Sequence, residues 1–298
     1  MNRKLVPTFI GIGGQRCRSS WIHKILSEHP DIYVSPLKEL QYFTWRAGQE
    51  SLDWYLKNFE QSAEYTARGE ITPTYSMVSR AVVDRVAKLF PALRLFMTIR
   101  NPVDRAWSYF VLKKTVLGHG RIRLSPAVHF FLWLERKRVR LPSDYVRALD
   151  HWEGAFGTGS VRVWTFEEMA STPEQVLCEL FEHLGVTSGW LPSSHLIQKR
   201  VLSSGSQPMP PVCRWYLSRQ YLPMVRQLNY RLNGRVAEWV SDLESWASDT
   251  SLAREFAWLA NRYVLSLPER LVYSIHQSSR ERRTRKALDE DIKRLHSQ

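Results

Sequence analysis

Cysteine is scarce in this chain: Cys17, Cys178 and Cys213 are all that 298 residues contain. An odd number of widely spaced thiols makes no disulfide framework, and the spacing fits no metal-ligand set. They read as free thiols of a reducing compartment. Acidic residues are also in deficit, 29 against 42 basic ones, for a formal charge of +13. That balance favours anionic partners such as nucleotides, sulfated or phosphorylated glycans, nucleic acid or anionic lipid, although solubility alone would also account for it. Long apolar runs are missing, since nothing approaches the roughly 18 uninterrupted apolar residues of a membrane-spanning helix. The first residues, Met1 to Pro7, lack the apolar core of a signal peptide. The expectation is a cytoplasmic protein, with peripheral membrane contact left open. No internal repeat is found.

Apolar material is nevertheless plentiful. Hydrophobic residues make up 44% of the chain and aromatic ones 12%, including 12 tryptophans, enough for a substantial core. The segment Pro7 to Trp21 organises the N-terminal part. Phe9, Ile10 and Ile12 read as a short buried strand, and Gly11, Gly13 and Gly14 as the glycines that let the backbone turn tightly against a ligand. Ser19 and Ser20 are expected to cap a helix from Trp21 to Glu28, which breaks at His29-Pro30. A strand feeding such a loop into a helix N-terminus makes an anion site, usually for phosphate. Arg16 and Arg18 add two guanidinium groups. Cys17, inside the loop, reads as a small filling residue rather than a nucleophile.

Strands are expected at Asp31–Ser35, from Arg68, at Leu93–Ile99 and at Val161–Trp164. They alternate with helices at Ser51–Phe59, Val78–Phe90, after Asn101-Pro102 through Leu117, at Tyr145–Phe156 and at Pro173–Leu184. Such alternation predicts an α/β fold with a mostly parallel sheet flanked by helices. The loops at 13–20, 36–42, 70–75 and 100–108 would then share the rim at the carboxyl ends of the strands. The stretch Leu112 to Arg140 interleaves eight basic residues with Phe130, Phe131 and Trp133. Two readings stay open for it: a solvated helix face over core aromatics, or the wall of a groove for an anionic acceptor or membrane. Gln198 to Pro211, rich in Ser, Gly and Pro, reads as a lid. Composition divides the chain into an α/β domain at 1–245 and a helical C-terminal extension at 246–298, which carries a basic run from Arg280 to Lys286.

The common nucleotide motifs do not fit the first loop. With Gly13 at the head of a P-loop, Arg18 stands where the second Gly belongs and Ser19 where the Lys belongs, although Ser20 meets the hydroxyl position. A dinucleotide fingerprint from Gly11 and Gly13 would need Gly at position 16, which is Arg. A second strand-to-helix junction carries Arg100, Arg105 and Ser108. Together the two junctions point to a ligand with two separate phosphate groups.

These stretches resemble the sulfotransferase family, closest to its bacterial and heparan-sulfate-type branches. Phe9 to Trp21 looks like the family's 5′-phosphosulfate loop, and His29–Ile32 with Lys38–Phe43 resembles its next block. Gly69–Tyr75 resembles the third, and Leu93–Tyr109 is similar to the 3′-phosphate motif. The resemblance is strong over 8–110, fair to about 240 and absent beyond. It implies a P-loop-like sulfotransferase fold and 3′-phosphoadenosine 5′-phosphosulfate (PAPS) as donor, leaving adenosine 3′,5′-bisphosphate as product. Gly13, Gly14, Gln15, Arg16, Cys17, Arg18, Ser19, Ser20 and Trp21 would hold the 5′-phosphosulfate, and Arg100 and Ser108 the 3′-phosphate. Glu39 matches the general base of the heparan-sulfate-type branch, with Glu70 as rival. The acceptor would be a hydroxyl of a glycan, glycolipid or small metabolite.

Three departures stand out. The family's usual loop Lys is Arg16, a small loop residue is Arg18, and Ile71 replaces a Lys common in the third block, leaving Lys38 as the nearest substitute cation. In-line attack on sulfur calls for a carboxylate base and for cations at the leaving oxygen. A sulfuryl group carries less charge than a γ-phosphoryl, so no metal is demanded. The alternatives are a P-loop-type kinase and a non-catalytic basic protein that binds nucleic acid or membrane through 113–140 and 280–286.

Overall fold

Five short strands form one parallel sheet: β1 Phe9–Gly13, β2 Ile32–Val34, β3 Ala67–Ile71, β4 Arg94–Ile99 and β5 Val161–Thr165. Their order is β2-β3-β1-β4-β5, with Phe9 of β1 opposite Gly69 on one side and Arg94 on the other. The computed structural model describes residues 5–116, 126–134, 140–186, 189–198, 208–263 and 283–295. The α/β fold with a parallel sheet flanked by helices is as expected. β4 reads as a nearly continuous apolar run because a parallel sheet is covered on both faces.

The helices, in chain order, are α1 Ser19–Leu26, α2 Leu52–Lys57, α3 Arg80–Leu89, α4 Pro102–Val116, α5 Pro126–Leu134 and α6 Tyr145–Phe156. They continue with α7 Glu168–Ser171, α8 Pro173–Leu184, α9 Ser194–Gln198, α10 Pro211–Arg231, α11 Ala237–Ala247 and α12 Thr250–Tyr263. Residues 283–295 form a further helix. Contacts group the chain into two compact units. One comprises Met1–Arg100, Arg147–Leu202 and Gln277–Gln298, the other Asn101–Val146 and Ser203–His276. This is a different cut from the compositional boundary at 245, which marks where strand signal ends in the sequence.

In the first unit, Trp21, Ile22, Ile25 and Leu26 of α1 meet Val176, Leu177, Leu180, Phe181 and Leu184 of α8 in one core with Phe9, Phe96 and Trp164 of the sheet. Each of these side chains contributes on the order of 1.5–3 kcal/mol by leaving water. Pro173 starts α8 and Gly185, at φ 78°, ends it, as the Pro-first, Gly-last asymmetry of helices predicts. A second, aromatic cluster joins Tyr42, Phe43, Tyr55, Phe59, Tyr75 and Phe90.

The second unit answers half of the question posed by the basic-aromatic stretch. Phe130 and Phe131 are buried; Phe130 packs on Trp107, Phe110 and Trp133, and Phe131 on Tyr216 and Phe256. Phe130 and Phe131 are therefore core, not groove wall, and Trp133 is only partly buried. Arg121, Arg123 and residues 136–138 lie outside the described residues, as do 199–207, most of the expected lid. Arg214 of α10 bridges Asp104 at 2.7 Å and Asp242 at 3.0 Å within this unit.

Candidate active site

The chain leaving β1 runs to β2 on one side of the sheet, while the chain leaving β4 runs to β5 on the other. The carboxyl ends of adjacent β1 and β4 are thus the point where the strand order reverses, the usual place for a ligand in an open α/β sheet. The first loop leaves β1 there. Gly14 donates its N–H to the Thr98 carbonyl at 2.5 Å, and the Thr98 hydroxyl donates to the Gly13 carbonyl at 3.1 Å, tying the loop to β4.

The loop turns differently from expectation. The left-handed residues are Arg16 and Arg18, at φ 66° and 63°, rather than the glycines. Each such non-glycine residue costs about 1–2 kcal/mol, a cost that a packed surrounding must offset. The glycines serve close packing instead: a Cβ on Gly11 would sit 2.6 Å from the Phe96 ring, and one on Gly13 2.9 Å from Ser76 Cβ. The expected cap is also corrected. Arg18 is the N-cap of α1, Ser19 and Ser20 are its first helical residues, and no side chain caps it. The Trp21 and Ile22 N–H groups donate to the Arg18 carbonyl, at 2.9 and 3.1 Å, and the Ser19 and Ser20 N–H groups ahead of them keep their capacity for an anion.

Arg16 is half-buried, and its proton affinity is lowered by that burial and then by the charge of nearby Arg100. A guanidinium remains charged regardless, so two cations share the space at the ends of β1 and β4. Arg100 lies over the Phe166 ring at 4.6 Å. Arg18 donates to the Met169 carbonyl at 2.7 Å and covers the same Phe166 ring, at 4.8 Å. Cys17 is fully buried with Sγ 3.4 Å from the Gln15 carbonyl, and Trp21 donates its indole N–H to the Ile197 carbonyl at 3.0 Å.

The segment after β2 meets the start of α1. Lys38 Nζ donates to Ser19 Oγ at 3.4 Å and stands 3.9 Å from Glu39 Oε1, both long for their kind, so the ammonium is weakly committed. Burial lowers the Lys38 pKa, opposed by Glu39 and Glu70. Glu39 accepts from Gln41 Nε2 at 3.1 Å, and Gln41 Oε1 in turn accepts the Trp45 indole N–H. Gln41 is left-handed as well, at φ 53°, and its N–H donates to Thr72 Oγ1 at 3.3 Å.

The two candidate bases have opposite surroundings. Glu70 is buried and accepts from the Thr72 hydroxyl at 2.6 Å and the Tyr75 hydroxyl at 2.7 Å. Burial pushes its pKa up to about 7 against those hydrogen bonds. Glu39 is 24% exposed, so an acceptor can reach it. Ile71 is buried opposite Gly11 in β3, part of the core, and supplies no site contact.

The second junction splits. Arg100 belongs to the first unit; Ser108, buried on α4, belongs to the second. Arg105, between them in sequence, is fully buried and donates from Nε to Ser143 Oγ at 2.5 Å. Gln41, Thr72 and Tyr75 lie inside the two blocks that carry the resemblance without having been singled out there, and Trp45 lies outside both. Among the described residues no group of three or more His, Cys, Asp or Glu side chains could hold a metal ion, and no helix is long and apolar enough to cross a membrane.

A sulfotransferase domain model matches residues 7–202, and the chain belongs to that family. Over 198 residues it is 25% identical to the mouse bifunctional heparan sulfate N-deacetylase/N-sulfotransferase 1, covering 61% of this chain and 22% of that protein. Identity to the human bifunctional heparan sulfate N-deacetylase/N-sulfotransferase 2 is 26% over 200 residues, with the same coverage. The chain thus spans about a fifth of the length of these relatives, 22%. A solved sulfotransferase from Alicyclobacillus acidocaldarius matches with a TM-score of 0.65 at 25% identity, over 79% of this chain and 99% of the other. Family membership favours a sulfotransferase over the kinase and the non-catalytic binder.

Proposed function

We propose that the protein transfers a sulfuryl group from PAPS to a saccharide hydroxyl or amine. The observation that carries this is the pairing of Arg16 and Arg100 beside the uncapped end of α1, at the reversal point of the sheet. Two guanidiniums and free helix N–H groups fit a polyanionic nucleotide. Bound there, the nucleotide would supply the sulfuryl group. The loop from Gly13 to Trp21 would hold its 5′ end; from Arg18 the loop uses the backbone, since the guanidinium serves Met169. Arg100 and Ser108 keep the 3′-phosphate roles that the family resemblance implies.

Glu39 would take the acceptor proton, with Gln41 holding its other oxygen. Lys38 and Arg16 would counter the negative charge that develops at the leaving oxygen. Glu70 would stay behind, shaping the segment through Thr72 and Tyr75. The saccharide acceptor is supported by the heparan sulfate relatives, and the N-sulfotransferase in their names admits an amine beside the hydroxyl. A cytoplasmic location completes the proposal and rests on the sequence reading.

The test is transfer of labelled sulfate from PAPS to a panel of hydroxyl and amino saccharides, with products read by mass spectrometry. Calorimetry with adenosine 3′,5′-bisphosphate accompanies it. Binding lost in Arg16→Ala and Arg100→Ala supports the site, and unchanged binding in both removes it.

A further inference from the structure

The helix over 283–295 lies beyond the matched domain, which ends at residue 202. Thr284, Leu288 and Asp291 are buried at i, i+4 and i+7, so one face of this helix packs within the first unit. Two polar contacts hold that face. Arg85 of α3 clasps Asp289 through Nε and Nη2, both at 2.7 Å. Tyr42 donates its hydroxyl to Asp291 Oδ2 at 3.0 Å.

The two contacts differ in what they touch. Asp289 is 47% exposed, and its partner stands on α3, outside the Lys38–Glu39 network described above. Asp291 is buried, and its partner is the residue next to Gln41, which holds Glu39 in a left-handed backbone. Tyr42 is fixed on every side: its ring stacks on Tyr55 at 4.8 Å, its N–H donates to the Tyr75 hydroxyl at 3.0 Å, and its carbonyl accepts the Ala47 N–H at 2.9 Å. A buried carboxylate is costly unless hydrogen-bonded, and volume alone would be filled better by an apolar pair. Asp291 instead accepts from the Tyr42 phenol, which fixes direction as well as volume.

We infer that Asp291, acting through Tyr42, is a positioning residue for Glu39, so that a helix outside the matched domain completes the active site. The inference rests on the base role proposed for Glu39. Hydrogen exchange on the full chain tests the contact without an acceptor: Asp291→Ala should speed exchange of the Tyr42, Trp45 and Ala47 amides, and Asp289→Ala should leave them unchanged. In labelled-sulfate transfer, Asp291→Ala should lower kcat by about ten- to a hundredfold, as a slightly misplaced base does, at unchanged KM and unchanged bisphosphate affinity. Tyr42→Phe should reproduce that loss. Asp291→Asn, which keeps an oxygen for the phenol, should restore most of it.

A merely structural role would lower activity only in step with the folded fraction seen in melting curves, and equally for Asp289→Ala; that result overturns the inference. So does unchanged exchange, or altered exchange with wild-type kcat. If the wild-type chain neither binds the bisphosphate nor transfers sulfate, the sulfotransferase proposal fails and this inference fails with it. Sulfate transfer with no response to Asp291→Ala removes the inference alone.

Discussion

The loop after β1 and the segment after β2 face one candidate site but are built by opposite means. The first is made of backbone: left-handed Arg16 and Arg18, an uncapped α1, and two hydrogen bonds to Thr98 that tie it to β4. The second is made of side chains, in which Trp45 holds Gln41, Gln41 holds Glu39, Thr72 and Tyr75 hold the backbone of Gln41 and Tyr42, and Asp291 holds the Tyr42 hydroxyl. A backbone site suits a ligand portion that is the same in every turnover. A side-chain site suits the proton transfer, where one oxygen must be aimed. The contrast predicts that changes in the first region act on binding and changes in the second on turnover.

The sharpest break in that contrast would come from Glu39→Gln. Turnover should fall about 10²- to 10⁴-fold, the usual worth of a general base, while bisphosphate affinity in calorimetry stays at the wild-type value. Retained turnover would move the proton transfer to Glu70.

Glu70 carries the next largest effect, on stability. Its folded carboxyl titrates near 7 against an ordinary 4.5, so the native state binds more protons than the unfolded chain between those values. The stability this group confers is therefore full below about 4.5 and is lost as pH rises through about 7. The loss amounts to about 3 kcal/mol at most. Urea unfolding at several pH values should show Glu70→Gln gaining on the wild type from pH 5 to 8; a constant gap would place a charged Glu70 in the native state at all these pH values.

On the loop side, Arg100→Ala should weaken bisphosphate binding by roughly 10- to 100-fold, as loss of a charged hydrogen-bond partner does. The turnover of enzyme saturated with PAPS should change less. The smallest effect belongs to Arg18→Ala. Losing the bond to Met169 should lower unfolding stability by about 1 kcal/mol, with bisphosphate affinity nearly unchanged. A large loss of affinity would return the Arg18 guanidinium to the anion site.

Much of the scaffold was legible in the residue order. Most strands were visible as largely apolar runs between helical patterns, because a parallel sheet is covered on both faces, whereas β3 carries Arg68 and the buried Glu70 and was placed by its position between two helical patterns. The anion loop was visible from its place between such a strand and a helix. Local rules failed inside the loop. Ser19 and Ser20 look like caps, yet Arg18 takes the N-cap position, and the glycines answer to Phe96 and Ser76 across the sheet rather than to a turn. Arg105, which lies between the two expected phosphate contacts in sequence, is fully buried against Ser143, because a guanidinium's partner depends on which side chain a folded helix brings to it.

By itself, then, the sequence determined the sheet, the site's address at the end of β1, and the residue types able to bind an anion and move a proton. The sheet and the anion site follow from periodicity and from spacing within about one turn, which act between near neighbours, while the carboxylate for the proton is what the family resemblance implies. Only the tertiary structure decided which arginine serves the loop and which serves Met169, which glutamate is reachable, and that Asp291 lies against Tyr42. Each of these depends on a contact across many residues of chain, between side chains whose local patterns say nothing of one another.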